Sequence, residues 1–274
     1  MNISVDEQLI HTTIRILSVG DDKSISTGTG FFFRYDIKNM NVPVIVTNKH
    51  VVKKAKKIIL KFSTSLEENF IPGKQQTVDI EVNETSFIMH PDEDVDLCLI
   101  PIAFILSHKF EQELHIIFLT KEKIITNDYI KSSISNIEDI TLIGYPDGII
   151  DEYNNLPIVR KGITATSLKY NFNNKKEFLI DSAIYGGSSG SPVFIFNQGS
   201  YSVGKSLYAG DRLFLIGIVY AVAQHIVNGQ LKIVQVPSVN VPFTETYIPN
   251  NLGVVIKSER LLDFEAILSN LIQA

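Results

Sequence analysis

The sequence predicts an all-β protein with two packed, six-stranded antiparallel β-barrels and a C-terminal α-helix. Short apolar segments recur at close spacing with Gly, Pro, Asn and Asp between them, which favours barrels over a sheet with helical crossovers. The 274 residues are 45% hydrophobic and include 16 glycines, as is typical of a globular chain with a large core. Sustained helical spacing of apolar residues is clear only near the C-terminus.

Four segments are predicted along the chain. Residues 1–106 form the first barrel, and residues 107–137 connect it to a second barrel at residues 138–256. Residues 257–274 form a helix that packs on the barrels. The connector is assigned because charged residues interrupt the apolar pattern there, and one short strand is expected at residues 116–119.

The first barrel follows a short helical or irregular lead-in at residues 6–12. Its predicted strands cover residues 14–19, 28–35, 44–47, 58–62, 78–82 and 97–102. The third strand is a continuous apolar run, as expected for a strand that is buried on both faces. Pro72 and Gly73 predict a loop between the fourth and fifth strands.

The second barrel is predicted from six further segments, and the terminal helix is expected to pack on it. Its strands cover residues 139–144, 162–169, 177–180, 193–196, 213–223 and 231–236. Ser258 is the predicted N-cap of the helix, because a serine hydroxyl can accept a hydrogen bond from the first helical turn. The apolar residues that follow at helical spacing predict core contacts: Leu261, Leu262, Phe264, Ile267, Leu268 and Leu271.

Charge and cysteine content limit the partners and the compartment of the protein. A net charge of −5 with a pI near 5.7 argues against a nucleic-acid or anionic-membrane surface. The one cysteine, Cys98, excludes an internal disulfide. The N-terminus has no apolar signal core, and no apolar run approaches the about 18 residues that span a bilayer. We therefore expect a soluble cytoplasmic protein, of bacterial type.

A glycine-rich stretch at residues 185–192 contains a candidate nucleophile. Its sequence, Tyr-Gly-Gly-Ser-Ser-Gly-Ser-Pro, has the form Gly-x-Ser-Gly-x-Pro around Ser189 and precedes an apolar strand. Glycines on both sides let the backbone turn tightly, so that the N–H groups of Gly187 and Ser189 can reach a carbonyl oxygen. Ser188 and Ser191 are rival nucleophiles, and a glycine-serine hairpin without catalysis is the plainer interpretation.

A nucleophilic serine needs a base and a group that orients the base. Of six histidines, only His50 directly follows an apolar strand. Asp96 directly precedes an apolar run, whereas Asp92 and Asp94 belong to the loop before it. A calcium site in this loop is disfavoured, because the glycine and the distal glutamate of an EF-hand are missing. The chain order is therefore His, Asp, Ser.

Four segments in this order resemble the motifs of the chymotrypsin-fold (trypsin-like) serine peptidases. They read Gly-Thr-Gly-Phe at 28–31, Thr-Asn-Lys-His-Val-Val at 47–52, Asp-Leu-Cys-Leu-Ile at 96–100, and Asp-Ser-Ala-Ile-Tyr-Gly-Gly-Ser-Ser-Gly-Ser-Pro at 181–192. The resemblance covers residues 10–256 and is closest to the disulfide-free bacterial HtrA-like branch, without a PDZ module. It implies a serine endopeptidase with His50 as base, Asp96 as orienting acid and Ser189 as nucleophile.

The resemblance also implies a substrate site and an unusual activation. Trypsin-type enzymes place a Lys/Arg-binding aspartate six residues before the nucleophile, where this chain has Ala183. We expect Ala183 and Tyr185 to bind substrate together with Tyr220, Ala221 and Val222 of the substrate-pairing strand, with preference for a small or medium apolar P1 residue.

Activation in this family often depends on an aspartate before the nucleophile, which pairs with a new N-terminal ammonium. Ser188 stands at that position, so the resemblance suggests that ordering of the loop at residues 184–187 sets activity instead. We expect a polypeptide substrate and no cofactor, metal, nucleic-acid or membrane partner. An unidentified activating partner is left open. The alternative is a peptide-binding pseudo-protease. An α/β-hydrolase is disfavoured, because a strand follows Ser189 and the acid and histidine precede it.

Overall fold

The computed structural model describes residues 3–230 and 243–273, with side chains described over 3–221 and 251–273. An eight-stranded sheet and a closed six-stranded barrel make up most of the fold, and a helix ends it. The predicted all-β class with a C-terminal helix is confirmed. Strands are β1 Thr13–Val19, β2 Ile25–Ile37, β3 Met40–Thr47, β4 Lys57–Leu66, β5 Asn69–Glu81, β6 Ile88–Met89, β7 Cys98–Pro101, β8 Glu113–Leu114, β9 Asp139–Gly144, β10 Ile158–Thr164, β11 Glu177–Asp181, β12 Pro192–Asn197, β13 Ser200–Val203, β14 Ser206–Ala209, β15 Arg212–Gln230 and β16 Phe243–Lys257. Helices are α1 Val5–Ile10, α2 Lys49–Val52, α3 Ala103–Ser107, α4 Asn127–Ser133 and α5 Phe264–Leu271.

The first sheet has the strand order β5-β4-β1-β2-β3-β7-β6, with β8 paired to β4. Its side chains alternate between two cores, because successive residues of a strand point to opposite faces. Phe32 packs with Ile45 in the core of this sheet. Phe31 and Phe33 point the other way and pack with Phe194 of the barrel. Strand β2 therefore forms part of the contact between the two halves.

The second half closes into a barrel in the order β10-β11-β16-β15-β12-β9. Leu142, Phe178 and Val193 are fully buried inside it. Beyond the barrel, β15 and β16 continue as an antiparallel ribbon, whose pairing runs out to Gln230 and Phe243. The barrel thus presents the start of β12 and the middle of β15 toward the first sheet.

The C-terminal segment packs between the two halves, but it does not start as predicted. Residues 258–263 form a 3₁₀ helix, and α5 follows with Asp263 at its N-cap position. Ser258 is not the cap, because its hydroxyl donates to the carbonyl oxygen of Leu215 at 2.8 Å. Phe264 and Leu268 enter the shared core, as predicted for this apolar face.

Several predicted strand boundaries are wrong for identifiable reasons. Pro72 and Gly73 lie inside β5, because β5 is an edge strand, where a missing N–H and an irregular pairing are tolerated. The β4–β5 turn is instead at Glu67 and Glu68, both with positive φ. The connector strand is at Glu113–Leu114 rather than 116–119, and β10 begins before the predicted 162.

Three features complete the comparison with the predicted elements. Helix α4 lies in the connector, which was expected to contain only a short strand, and α3 lies at the end of the predicted first barrel. Neither helix was predicted, nor was the hairpin β13–β14. The predicted strand at residues 231–236 lies outside the described residues. Within the described ranges, no helix is both long and apolar enough to cross a lipid bilayer.

Candidate active site

The histidine of the candidate site lies just past the end of a buried strand. β3 ends at Thr47, Asn48 is extended, and α2 then begins at Lys49, so that the side chain of His50 is 48% exposed. The amide Nδ2 of Asn48 donates to the carbonyl oxygen of Asp96 at 2.7 Å. This contact ties the turn that carries His50 to the entry of β7.

Asp96 contacts His50 at two points. Its Oδ1 accepts from the backbone N–H of His50 at 3.1 Å, and its Oδ2 is in hydrogen-bond contact with Nδ1 of the imidazole. A carboxylate in this position favours the tautomer that has its proton on Nδ1 and leaves Nε2 free to accept a proton. The pair can therefore act as an oriented general base.

The candidate nucleophile lies in a tight loop before β12. The carbonyl oxygen of Tyr185 accepts from Ser188 N at 3.2 Å, and the N–H of Gly190 donates to Val219 O at 2.8 Å. Ser188 and Ser191 are both fully buried, whereas Ser189 is partly exposed. Among the three neighbouring serines, accessibility therefore favours Ser189.

Two glycines in this loop are required by close backbone contacts. Gly190 has φ +88°, and a Cβ at this residue would lie 1.9 Å from the carbonyl oxygen of Thr29. Gly187 has φ +76°, and its Cβ would lie 2.4 Å from the carbonyl oxygen of Tyr145. Other L-residues rarely adopt this conformation, and none would fit these contacts without displacing backbone. The Gly-x-Ser-Gly pattern is thus explained by packing.

Thr29 of β2 connects the nucleophile loop to the histidine strand. Its hydroxyl donates to the carbonyl oxygen of Gly187 at 2.8 Å and accepts from the N–H of Tyr145 at 3.1 Å. Its carbonyl oxygen accepts from the hydroxyl of Thr47 at 2.8 Å. The Gly-Thr-Gly-Phe motif alone did not predict this role of Thr29, because its partners are distant along the chain.

The geometry of the loop leaves two backbone donors free. The carbonyl oxygen of Gly186 accepts from the N–H of Asp147 at 2.6 Å, which turns the N–H of Gly187 to the opposite side of that planar peptide. Neither Gly187 N nor Ser189 N donates to a protein acceptor in the described part of the chain. Both are therefore available to a developing oxyanion.

The predicted substrate-binding residues lie around this loop. Ala183 and Tyr185 are exposed in the loop itself. Tyr220 and Ala221 follow Val219 on β15, which bonds to Gly190. Burial, together with the nearby carboxylate of Glu177, raises the pKa of Tyr220 to about 12. The backbone of Val222 continues β15, and its side chain lies outside the described residues.

Ile184 was not among the predicted site residues, although it lies between two of them. Its side chain is buried, and a Cβ on Gly253 of β16 would lie 2.0 Å from its Cδ1. It therefore fills the space between the loop and β16. Across residues 3–230 and 243–273, no group of three or more His, Cys, Asp or Glu side chains could hold a metal ion.

The family of the chain follows from a family model, and not from the curated proteins or the solved structures. No curated protein matches the sequence. Among solved structures, catalytically inactive tobacco etch virus protease complexed with substrate is 13% identical, with a TM-score of 0.47 over 98% of this chain and 87% of that one. A structure named GrC is 12% identical, with a TM-score of 0.47 over 99% of this chain and 97% of that one. The family model described as trypsin-like peptidase domain matches residues 28–204, which is more than half of the sequence, and the chain therefore belongs to the trypsin-like peptidase family.

Proposed function

We propose that the protein is a serine endopeptidase that cleaves polypeptides through His50, Asp96 and Ser189. The observation that carries this proposal is the double contact of Asp96 with the ring and the backbone of His50. A carboxylate that only stabilised the fold would not need to fix the tautomer of a half-exposed imidazole. The free N–H groups of Gly187 and Ser189 support the same assignment.

The proposed reaction proceeds through an acyl-enzyme. Ser189 Oγ attacks the scissile carbonyl carbon while Nε2 of His50 takes the hydroxyl proton. The N–H groups of Gly187 and Ser189 donate to the oxyanion, and His50 then returns the proton to the leaving amine. Water, activated by His50, attacks the ester and releases the second product, which restores the serine hydroxyl. Asp96 stays ionised and stabilises the imidazolium.

One contact must form for this reaction to begin. Within the described residues, Ser189 Oγ has no hydrogen bond to His50. Such catalytic hydrogen bonds are often long or misaligned without substrate and tighten in the Michaelis complex. A rotation about χ1 of Ser189 changes the direction of Oγ without moving the loop backbone. We propose that the bound substrate selects the rotamer that faces His50.

For specificity, we propose a small or medium apolar P1 side chain such as Val, Ala or Leu. Ala183 supplies no charge for a Lys or Arg side chain. The neighbouring Ile184 is buried against Gly253 of β16 and also supplies no charge. Profiling with a peptide library tests this preference, and selection of Lys or Arg at P1 would contradict it.

The endopeptidase proposal is tested by labelling with a fluorophosphonate probe, read by intact mass. We expect one adduct on the wild-type protein, none on Ser189→Ala, and a full adduct on Ser200→Ala. Ser200 is a suitable control because it is an exposed serine on the hairpin β13–β14. Absence of labelling in a folded wild-type protein would overturn the proposal and favour the alternative, a peptide-binding pseudo-protease.

A further inference from the structure

Arg160 of β10 contacts the loop that carries the proposed nucleophile, residues 183–189. Its Nη1 donates to the carbonyl oxygen of Ala183 at 2.6 Å and to the hydroxyl oxygen of Ser188 at 3.0 Å. The same hydroxyl oxygen accepts from the N–H of Tyr185 at 3.4 Å. A single guanidinium thus contacts both ends of the segment that contains Gly187.

Removing part of this guanidinium from water lowers the stability of the folded state. Nε and Nη2 of Arg160 are buried without a hydrogen-bond partner among the described residues. Burial lowers the pKa of the guanidinium to about 10, while the nearby Asp147 and Tyr185 act in the opposite direction. The group remains charged at neutral pH. A partly buried charge that leaves two donors unsatisfied calls for a role other than stability.

We propose that Arg160 is a positioning residue, which holds the loop at residues 183–189 in the geometry that exposes the two oxyanion donors. This inference rests on the proposed peptidase function. Ser188 lies between Gly187 and Ser189, so a restraint on its side chain limits how both donors can turn. In the described part of the chain, Arg160 is the cation whose side chain donates to this loop.

The assignment explains how the loop can be ordered although Ser188 stands where an acidic partner for a terminal ammonium would be needed. The positive charge is supplied from β10 and is present in the folded chain without cleavage. Its acceptors are a neutral hydroxyl and a carbonyl oxygen, so the restraint is weaker than a buried ion pair. The loop is therefore held, but by contacts that a single substitution can remove.

Kinetics of three variants test the role of Arg160. We expect Arg160→Met to lower kcat about 10- to 100-fold, with less than about a threefold change in KM. This is a smaller loss than the about 10²–10³-fold that follows removal of an oxyanion donor itself, because Arg160 acts through the loop. Arg160→Lys should recover most of this loss, because an ammonium can still donate to both acceptors. Arg34→Met is the matched control, since Arg34 is partly exposed on β2 and its side chain pairs with Asp36 at 3.9 Å.

A double-mutant cycle protects the test against a poorly folded Arg160 variant. Ser188→Ala removes one acceptor and leaves the arginine in place, so we expect a smaller loss of kcat. Combining it with Arg160→Met should give much less than the sum of the two losses in free energy, because both remove the same contact. Additive effects, or equal activity of the Met and Lys variants, would overturn the inference.

Hydrogen exchange provides a readout that needs no activity. Peptides covering residues 183–191 should exchange faster in Arg160→Met than in the wild-type protein, whereas peptides from β4, which pairs with β1, β5 and β8, should not change. Unchanged exchange in the loop would overturn the inference even if the enzyme is active. If the wild-type protein fails to label or turn over, the proposed function fails, and exchange in the loop still decides whether Arg160 orders it.

Discussion

The backbone N–H of Thr29 donates a 2.8 Å hydrogen bond to the carbonyl oxygen of Ser189, which joins the first sheet to the residue proposed as nucleophile. The carbonyl oxygen of Thr29 accepts from Thr47, three residues before His50. One buried residue thus relates the serine loop to the strand that presents the histidine. The relative position of base and nucleophile therefore depends on contacts between the two halves of the molecule.

The Thr29→Val variant should still fold, but its kcat should be lower than that of the wild-type protein. The substitution keeps the shape but removes the hydroxyl, which leaves Gly187 O and Tyr145 N without their buried partner. We expect about 1–3 kcal/mol less free energy of unfolding, as for buried polar groups left unpaired, and a lower kcat. Denaturant unfolding and kcat measurements check this. Thr29→Ser retains the hydroxyl and should keep near wild-type activity, and equal kcat values for the two variants would contradict the assigned role.

The members of the proposed triad were selected from the sequence because each lies next to a strong local pattern. His50 follows an apolar strand, Asp96 precedes another, and Ser189 lies within a glycine pattern that only a few backbone conformations satisfy. The order of these three residues along the chain matches the order of the family motifs. The narrower likeness to the HtrA-like branch and the boundaries of the four segments stay predictions.

The residues that support the triad could not be predicted in this way. Arg160 and Thr29 contact the serine loop from strands that are distant along the chain, and a lone arginine or threonine in a strand carries no signal of its partner. Ser258 shows the opposite error, since a good local N-cap residue instead bonds to Leu215 across the core. The roles of these side chains depend on contacts with residues that are distant in the sequence. Local sequence propensity gives no information about such contacts.

Gly190→Ala should abolish activity, because alanine disfavours the positive φ of this residue and its Cβ would collide with the backbone of Thr29. The residue has φ +88°, and its Cβ would lie 1.9 Å from Thr29 O. Gly204→Ala is a matched control, because Gly204 also has positive φ (+60°) and nothing lies within 4 Å of its Cβ. The control should lose only the about 1–2 kcal/mol of a left-handed residue and keep full fluorophosphonate labelling. Full labelling of Gly190→Ala would show that the loop is not held against Thr29.

Asp96→Asn should lower kcat by about 10³–10⁴ while leaving the fold nearly unchanged, as expected when an amide stabilises the wrong tautomer of the base. The residue is partly exposed, so that its loss should cost little stability. Asp94→Asn serves as the control, because Asp94 lies two residues earlier in the preceding loop. Steady-state kinetics compare the two variants. A larger loss in Asp94→Asn would reassign the orienting acid.

A pair of buried histidines far from the triad makes stability depend on pH. The rings of His11 and His115 meet edge to face with centroids 4.3 Å apart, and Phe70 packs against both. Burial, with a smaller contribution from His115, lowers the pKa of His11 to about 4, and burial also lowers the pKa of His115, against which Glu7 acts. Both imidazoles are therefore neutral in the folded protein at pH 7.

Acidification should destabilise the protein before its carboxylates titrate. Between pH 6.5 and 4 the unfolded chain binds a proton at His11 that the folded chain does not, so the free energy of unfolding falls as pH falls. His11 alone can account for up to about 3 kcal/mol at the acidic end. Denaturant unfolding at several pH values should show a smaller slope for His11→Phe. His108→Gln, at an exposed site, should keep the wild-type slope, and an unchanged slope in His11→Phe would place the proton uptake elsewhere.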